Sequence, residues 1–181
     1  MHELFVYIYC QPIPRLCLFI FLFILLWGYL AYQDGNSLRW RFANAVVFLG
    51  IVAVVFYMTV YTRGESAEQA VFTPFQSFQD AKIQPELYRS MLMNVFLFVP
   101  LGISLPFVLG WRRCSCMFTV ILAALFSSGI EYLQFRYALG KCEVDDVIMN
   151  TLGSLMGCIA YCLFRYLKRH VKKLLQESDH P

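Results

Sequence analysis

The chain has 181 residues, of which 59% are hydrophobic and only 15% charged, and its mean hydropathy is +0.57. A soluble domain of this size has too little interior to hide that much apolar surface, so a soluble globular fold is excluded. The net charge of +3 is modest and concentrated near the C-terminus. There Arg165, Lys168, Arg169, Lys172 and Lys173 recur at helical spacing, which reads as a juxtamembrane anchor beside anionic lipid; no nucleic-acid partner is expected.

A helix rising about 1.5 Å per residue needs roughly 20 apolar residues to cross a hydrocarbon core about 30 Å thick. In chain order, the first such run spans Leu16 to about Tyr32. It follows a single strong cation, Arg15, and Gly28-Tyr29-Leu30-Ala31-Tyr32 lacks a small-x-small cleavage signature, so an uncleaved helix is expected. Further runs cover Phe42–Tyr61, Met91–Leu109, Cys114 to about Leu133, and Val147–Leu167. The expected fold is therefore all-α, a polytopic transmembrane bundle of about five spans. Its organisation reads as a two-helix N-terminal region over 1–61, a loop over 62–90, a three-helix core over 91–167 and a basic tail over 168–181.

With an odd number of spans, loop cations choose the orientation. A cytoplasmic C-terminus places nine Lys and Arg inside and six outside. The three cations of the Thr62–Ser90 loop are further diluted by Glu65, Glu68, Asp80 and Glu86. The expectation is a multi-pass cytoplasmic-membrane protein with the N-terminus outside and the C-terminus inside. The second and fourth loops then face the extracytoplasmic side.

Nearly all the unusual polar residues gather beside those two loops: Asn94 in the first turn of the third span, Glu131 and Gln134 in the last turns of the fourth, and Asp145, Asp146 and Asn150 at the mouth of the fifth. Glu131 and Gln134 are i,i+3 and Asp146 and Asn150 are i,i+4, so each pair shares a helix face. The latter face continues into Gly153 and Gly157, a small-xxx-small stripe that lets two backbones approach closely. The six polar residues are the candidate ligand-binding set. Structural roles compete with that reading: end-of-helix electrostatics for Asp145 and Asp146, inter-helix hydrogen bonding for Asn94, and snorkelling for Glu131, which reaches the hydrocarbon edge where an ionisable group usually has a partner. Pro100, Gly102 and Pro106 are expected to bend or partly break the third span. Among the seven cysteines no CxxC pair occurs; small apolar filler is the expected role, and neither metal nor cofactor is expected.

Three blocks, Asn94–Gly102, Ser128–Gln134 and Cys142–Gly153, resemble the signature of the VanZ-like, teicoplanin-resistance-type family in order and spacing, and Thr73-Pro74-Phe75 resembles its upstream Pro-Phe element. The resemblance covers about Phe72 to Gly157. Lys141 and Glu143 stand where many relatives carry Arg and Asp, which keeps charge and loses bidentate geometry, weakening any phosphate or carboxylate grip by Lys141. The resemblance implies a bacterial membrane protein, one relative being linked to low-level teicoplanin resistance.

Two function classes fit these residues. The first is a non-enzymatic envelope protein, with membrane lipids as partners, whose outer polar cluster and second loop bind a lipid-linked cell-wall precursor or obstruct an acylated, membrane-anchored glycopeptide. The second is a membrane enzyme acting on a polyprenyl-phosphate or phospholipid, with Glu131, Asp145 and Asp146 as acid, base or divalent-ion ligands. Against the second, His2, His170 and His180 all lie near the termini, and no nucleophile-base arrangement is apparent.

Overall fold

A computed structural model describes residues 38–61, 69–110 and 115–178, together with positions 21, 25 and 28. The first expected span, 16–32, lies outside the described residues except for those three positions, which are helical. By contacts the chain divides into Met1–Gly35 and a second unit, Asn36–Pro181. In order it contains α1 (Leu38–Phe56) running into a π-helical turn (Tyr57–Tyr61), β1 (Gln69–Val71), α2 (Gln76–Asp80), α3 (Glu86–Leu109), α4 (Ser115–Arg136), β2 (Lys141–Glu143) and α5 (Val144–Ser178).

Four helical segments among the described residues are long and apolar enough to cross a membrane: Trp40–Tyr61, Glu86–Leu109, Ser115–Arg136 and Val144–Gln176. The helix ends differ from those expected, for local reasons. α3 begins five residues before the apolar run because Pro85 presets the helix entry and Glu86 suits the first turn. Asn94 is consequently more than two turns inside α3, not in its first turn. α5 does not stop at Leu167, since 168–178 carries neither Pro nor Gly; its 35 residues extend about 50 Å, well beyond a hydrocarbon core of about 30 Å.

The largest interface joins α3 to α5, and α4 also packs on α5. Glycines set the first approach. A Cβ on Gly153 would overlap the Val95 carbonyl, one on Gly157 would overlap the Val99 carbonyl and come within 2.8 Å of Gly102 Cα, and one on Gly102 would overlap the Ser154 carbonyl. The stripe read from the sequence is thus a backbone-to-backbone seam, with Gly102 as its reciprocal member on α3. Lower down, Phe107 meets Tyr161 edge-on, with centroids 4.7 Å apart.

The prolines do not interrupt α3, which is continuous through Pro100 and Pro106. Pro106 lacks the N–H that would bond Gly102 O, and the Cys158 thiol donates to that carbonyl instead at 3.5 Å. A neighbouring helix supplies the partner that proline removes.

Cys116 Sγ on α4 and Cys162 Sγ on α5 are 3.5 Å apart, close enough that small side-chain rotations bring them to bonding distance, about 2.05 Å. Mild oxidation of a variant keeping only these two cysteines is expected to consume both thiols within one chain, read as a mass lower by two hydrogens. Two thiols still titratable after oxidation would mean that α4 and α5 do not meet here.

The segment 69–85 is structured. β1 pairs in parallel with β2 in the register Gln69–Lys141, Ala70–Cys142 and Val71–Glu143. This small ladder adds a β element that the all-α expectation did not contain. It fixes the loop after α1 and the loop between α4 and α5 at one end of the bundle.

Candidate functional site

At that end the loop elements are fastened to α5 by side chains from the sequence blocks singled out above. Phe75 has a left-handed backbone, φ 63°, uncommon for a non-glycine residue. That conformation is held from across the fold. Asp145 accepts the Phe75 N–H at 2.6 Å through one carboxylate oxygen and the Ser77 N–H at 2.8 Å through the other. Ser77 Oγ in turn donates to Glu143 Oε2 at 2.9 Å. Asp145 therefore serves not its own helix but the backbone of a segment about 70 positions earlier.

The other candidates resolve into distinct roles. Glu131, only 4% exposed, accepts the Glu143 N–H at 3.0 Å and so holds β2. Gln134, fully buried, donates to the Thr59 carbonyl at 2.9 Å. Thr59 lies in the π-helical turn, where the end of a helix leaves carbonyls without intrahelical partners. Asn150 Nδ2 donates to Ser127 Oγ at 2.8 Å, tying α5 to α4. Asn150 Oδ1 and Asn94 Nδ2 are buried and meet no hydrogen-bond partner among the described residues.

Beside Asp145, a cavity of about 350 Å³ is lined by Ser77, Leu87, Ser90, Met91, Lys141, Glu143 and Asp146. Of the six sequence candidates, Asp146 lines it. Ser77, Ser90, Lys141 and Glu143 lay outside the sequence set, although Lys141 and Glu143 fall within or beside the third motif block. Their link to Ser77 runs through the Ser77 Oγ–Glu143 hydrogen bond next to the β1–β2 pairing, which three-residue strands do not announce in sequence.

The enzymatic alternative requires Glu131, Asp145 and Asp146 to turn to one reacting centre. Asp145 instead spends both oxygens on backbone N–H groups, and Glu131 holds another. Among the described residues no group of three or more His, Cys, Asp or Glu is placed to hold a metal ion.

The Cys142 thiol, between β1 and the cavity carboxylates, is pushed above its ordinary value by burial first, then by Glu131, Asp146 and Glu143. A raised pKa lowers the thiolate fraction at any fixed pH below it. Maleimide labelling of Cys142 is therefore expected to be slower at pH 8 than that of a free thiol, and to keep accelerating above pH 9. Asp146→Asn should speed it. A pH–rate curve identical to that of glutathione would contradict the placement of those carboxylates.

Four long apolar helices closed at one end by a hydrogen-bonded polar cap define a polytopic helical membrane protein with a cavity at the bundle mouth. Residues 42–165, well over half of the chain, match the VanZ/LLP1 family, and the chain belongs to that family. The match begins within α1 and is wider than the 72–157 stretch that carries the motif blocks. The chain is similar to Protein VanZ of Enterococcus faecium, at 30% identity over 76 residues. That alignment covers 42% of this chain and 46% of the relative, less than half of either. No solved structure matches.

Proposed function

We propose that this VanZ-family protein acts in the bacterial cell envelope, with the N-terminus outside and the C-terminus cytoplasmic, and binds the headgroup of a lipid-linked or acylated ligand in the cavity at the mouth of the bundle. The observation that carries this reading is the cavity's lining: hydroxyls from Ser77 and Ser90, the Lys141 ammonium, two carboxylates, and an apolar edge of Leu87 and Met91. Its volume of about 350 Å³ lies at the small end of ligand pockets. It suits one polar headgroup whose chains remain in the bilayer, rather than a whole glycopeptide. Occupying or presenting such a ligand at the outer leaflet is a route by which the protein would lower susceptibility to teicoplanin-type glycopeptides, which carry an acyl chain of their own.

Expression in a glycopeptide-susceptible host should raise teicoplanin tolerance above an empty vector. Ser90→Trp, which fills the exposed side of the cavity, should remove that gain at unchanged protein abundance. Full tolerance in Ser90→Trp would sink the cavity reading. The orientation is tested separately with an impermeant thiol reagent on whole cells: a variant retaining only Cys142 should label, slowly, and one carrying a single thiol after Leu174 should not. The reverse pattern would invert the topology.

A further inference from the structure

A polar group inside a membrane bundle is costly unless it finds a hydrogen-bond partner. On the face of α5 that meets α4, three such residues follow one another at i,i+4 spacing: Asn150, Ser154 and Cys158, all buried. Asn150 Nδ2 reaches Ser127 Oγ of α4 at 2.8 Å, and the Cys158 thiol lies 3.7 Å from the Cys116 carbonyl of α4. Ser154 stands between these two crossings, so its side chain is turned to α4 as well. Its backbone side is closed by α3, because the Ser154 carbonyl is the group that a Cβ on Gly102 would overlap. Two atoms of this line are left open. Ser154 Oγ and Asn150 Oδ1 are buried and meet no hydrogen-bond partner among the described residues. A helical hydroxyl ordinarily turns back onto its own helix, and Thr59, Ser104, Thr119, Ser128 and Thr151 each donate to a carbonyl three or four positions earlier. Ser154 does not. On α4 the residue one turn before Ser127 on the same face is Ala123, itself fully buried. Its methyl fills the least space of any side chain and offers no hydrogen bond.

We infer that a water molecule binds inside the α4–α5 seam, between Asn150, Ser154 and Ala123, deeper in the bundle than the Asp146 that lines the mouth cavity. Side chains at i and i+4 have Cβ atoms about 5–6 Å apart, a span that one oxygen bridges with two hydrogen bonds of about 2.8 Å each. The water donates to Asn150 Oδ1 and accepts from the Ser154 hydroxyl, which gives it the two polar partners that a buried water requires. Chemistry selects water over other guests. Neither residue is charged, so an ion here would be buried without compensation. Turning the Asn150 amide over would present an open N–H in place of an open oxygen. Water serves either arrangement, because it both donates and accepts. The two interfaces of α5 then differ in kind: the α3 side is closed backbone on backbone, and the α4 side is closed through a bound solvent molecule.

The test uses the full-length protein in liposomes, isotope-labelled at asparagine, serine and isoleucine, and solid-state NMR that follows magnetisation from water protons to side chains. Asn150→Asp and Ser154→Ala assign the two signals of interest by their loss. Early transfer is expected at the Asn150 amide and at Ser154 Cβ, well above that at Ile159, which is exposed on the outer side of α5. Ala123→Ser puts a hydroxyl where the water sits. Transfer at both positions should then fall to the Ile159 level, with the melting temperature unchanged or raised. Ala123→Leu fills the same space and should remove the transfer while lowering the melting temperature; should that variant fail to fold, the milder Ala123→Ser still decides. Wild-type protein with no transfer above the Ile159 level at either residue overturns the inference, because the seam is then dry. Transfer that persists unchanged in Ala123→Ser overturns it too, because the water then lies elsewhere.

Discussion

Gly153→Leu and Gly157→Leu should each nearly abolish accumulation of folded protein, the largest effect expected of any single change outside the termini. The obstacle is backbone, which has no rotamer to escape into: the new Cβ meets the Val95 carbonyl in one case and the Val99 carbonyl and Gly102 Cα in the other. Separating α3 from α5 also exposes buried Ser154, whose backbone meets Gly102 in this seam, and withdraws the Cys158 thiol from the Gly102 carbonyl that Pro106 leaves open. Overpacking of this severity costs about 3 kcal/mol or more. Gly102→Ala should be damaging in the same sense, whereas Gly129→Ala, with open space around it, should be tolerated. The measurement is detergent-solubilised yield and melting temperature. Wild-type values for Gly153→Leu and Gly157→Leu would mean that α3 and α5 do not share this seam.

Asp145→Ala should release the 69–85 segment from the bundle while leaving the transmembrane helices in place. It strips two backbone N–H groups, those of Phe75 and Ser77, of a charged acceptor, at a cost of about 3 kcal/mol in total. It also removes what holds Phe75 in its left-handed conformation. Asp145→Asn can accept through only one of its two positions and should be intermediate. Limited proteolysis between Gln69 and Pro85 reads the result. Protection equal to wild type in Asp145→Ala would show that the β1–β2 ladder alone docks the segment. Glu131→Gln makes a useful contrast, because the amide oxygen can still accept the Glu143 N–H; it should preserve the fold, where Glu131→Ala leaves that N–H unpaired.

These residues also show which features were legible in the sequence. Spans announce themselves because the lipid-facing surface of a crossing helix must be mostly apolar over about 20 residues, and four of the five expected runs correspond to membrane-length helices among the described residues. The glycine stripe is legible for a similar reason, since close helix approach admits little else. The motif blocks point to one end of the bundle; Glu131 and Asp145 hold the loop elements there, whereas Gln134 bonds the Thr59 carbonyl and Asn150 the Ser127 hydroxyl. Their individual roles were hidden because each depends on a partner outside its own helix turn, from 12 positions away for Glu131 to 75 for Gln134. Nothing in the local pattern around Gln134 indicates a π-helical turn at Thr59 that needs a donor, and nothing around Asp145 indicates that its partners are Phe75 and Ser77. Helix ends were misjudged where hydropathy and helix propensity diverge, as at Glu86 and beyond Leu167.

The span of about 70 positions between Phe75 and Asp145 has a consequence for biogenesis. When the 69–85 segment leaves the ribosome, the carboxylate that will hold it has not been made. At synthesis rates of roughly 5–20 residues per second the wait is about 4–14 seconds, during which α3, α4 and the start of α5 must also enter the bilayer. Until then the Phe75 and Ser77 backbone N–H groups have no carboxylate acceptor and the segment is undocked. A nascent chain arrested before Asp145 should be cut readily within this segment, and one arrested after α5 has inserted should resist. The interval between those two lengths is when the growing protein is most exposed to quality-control proteases.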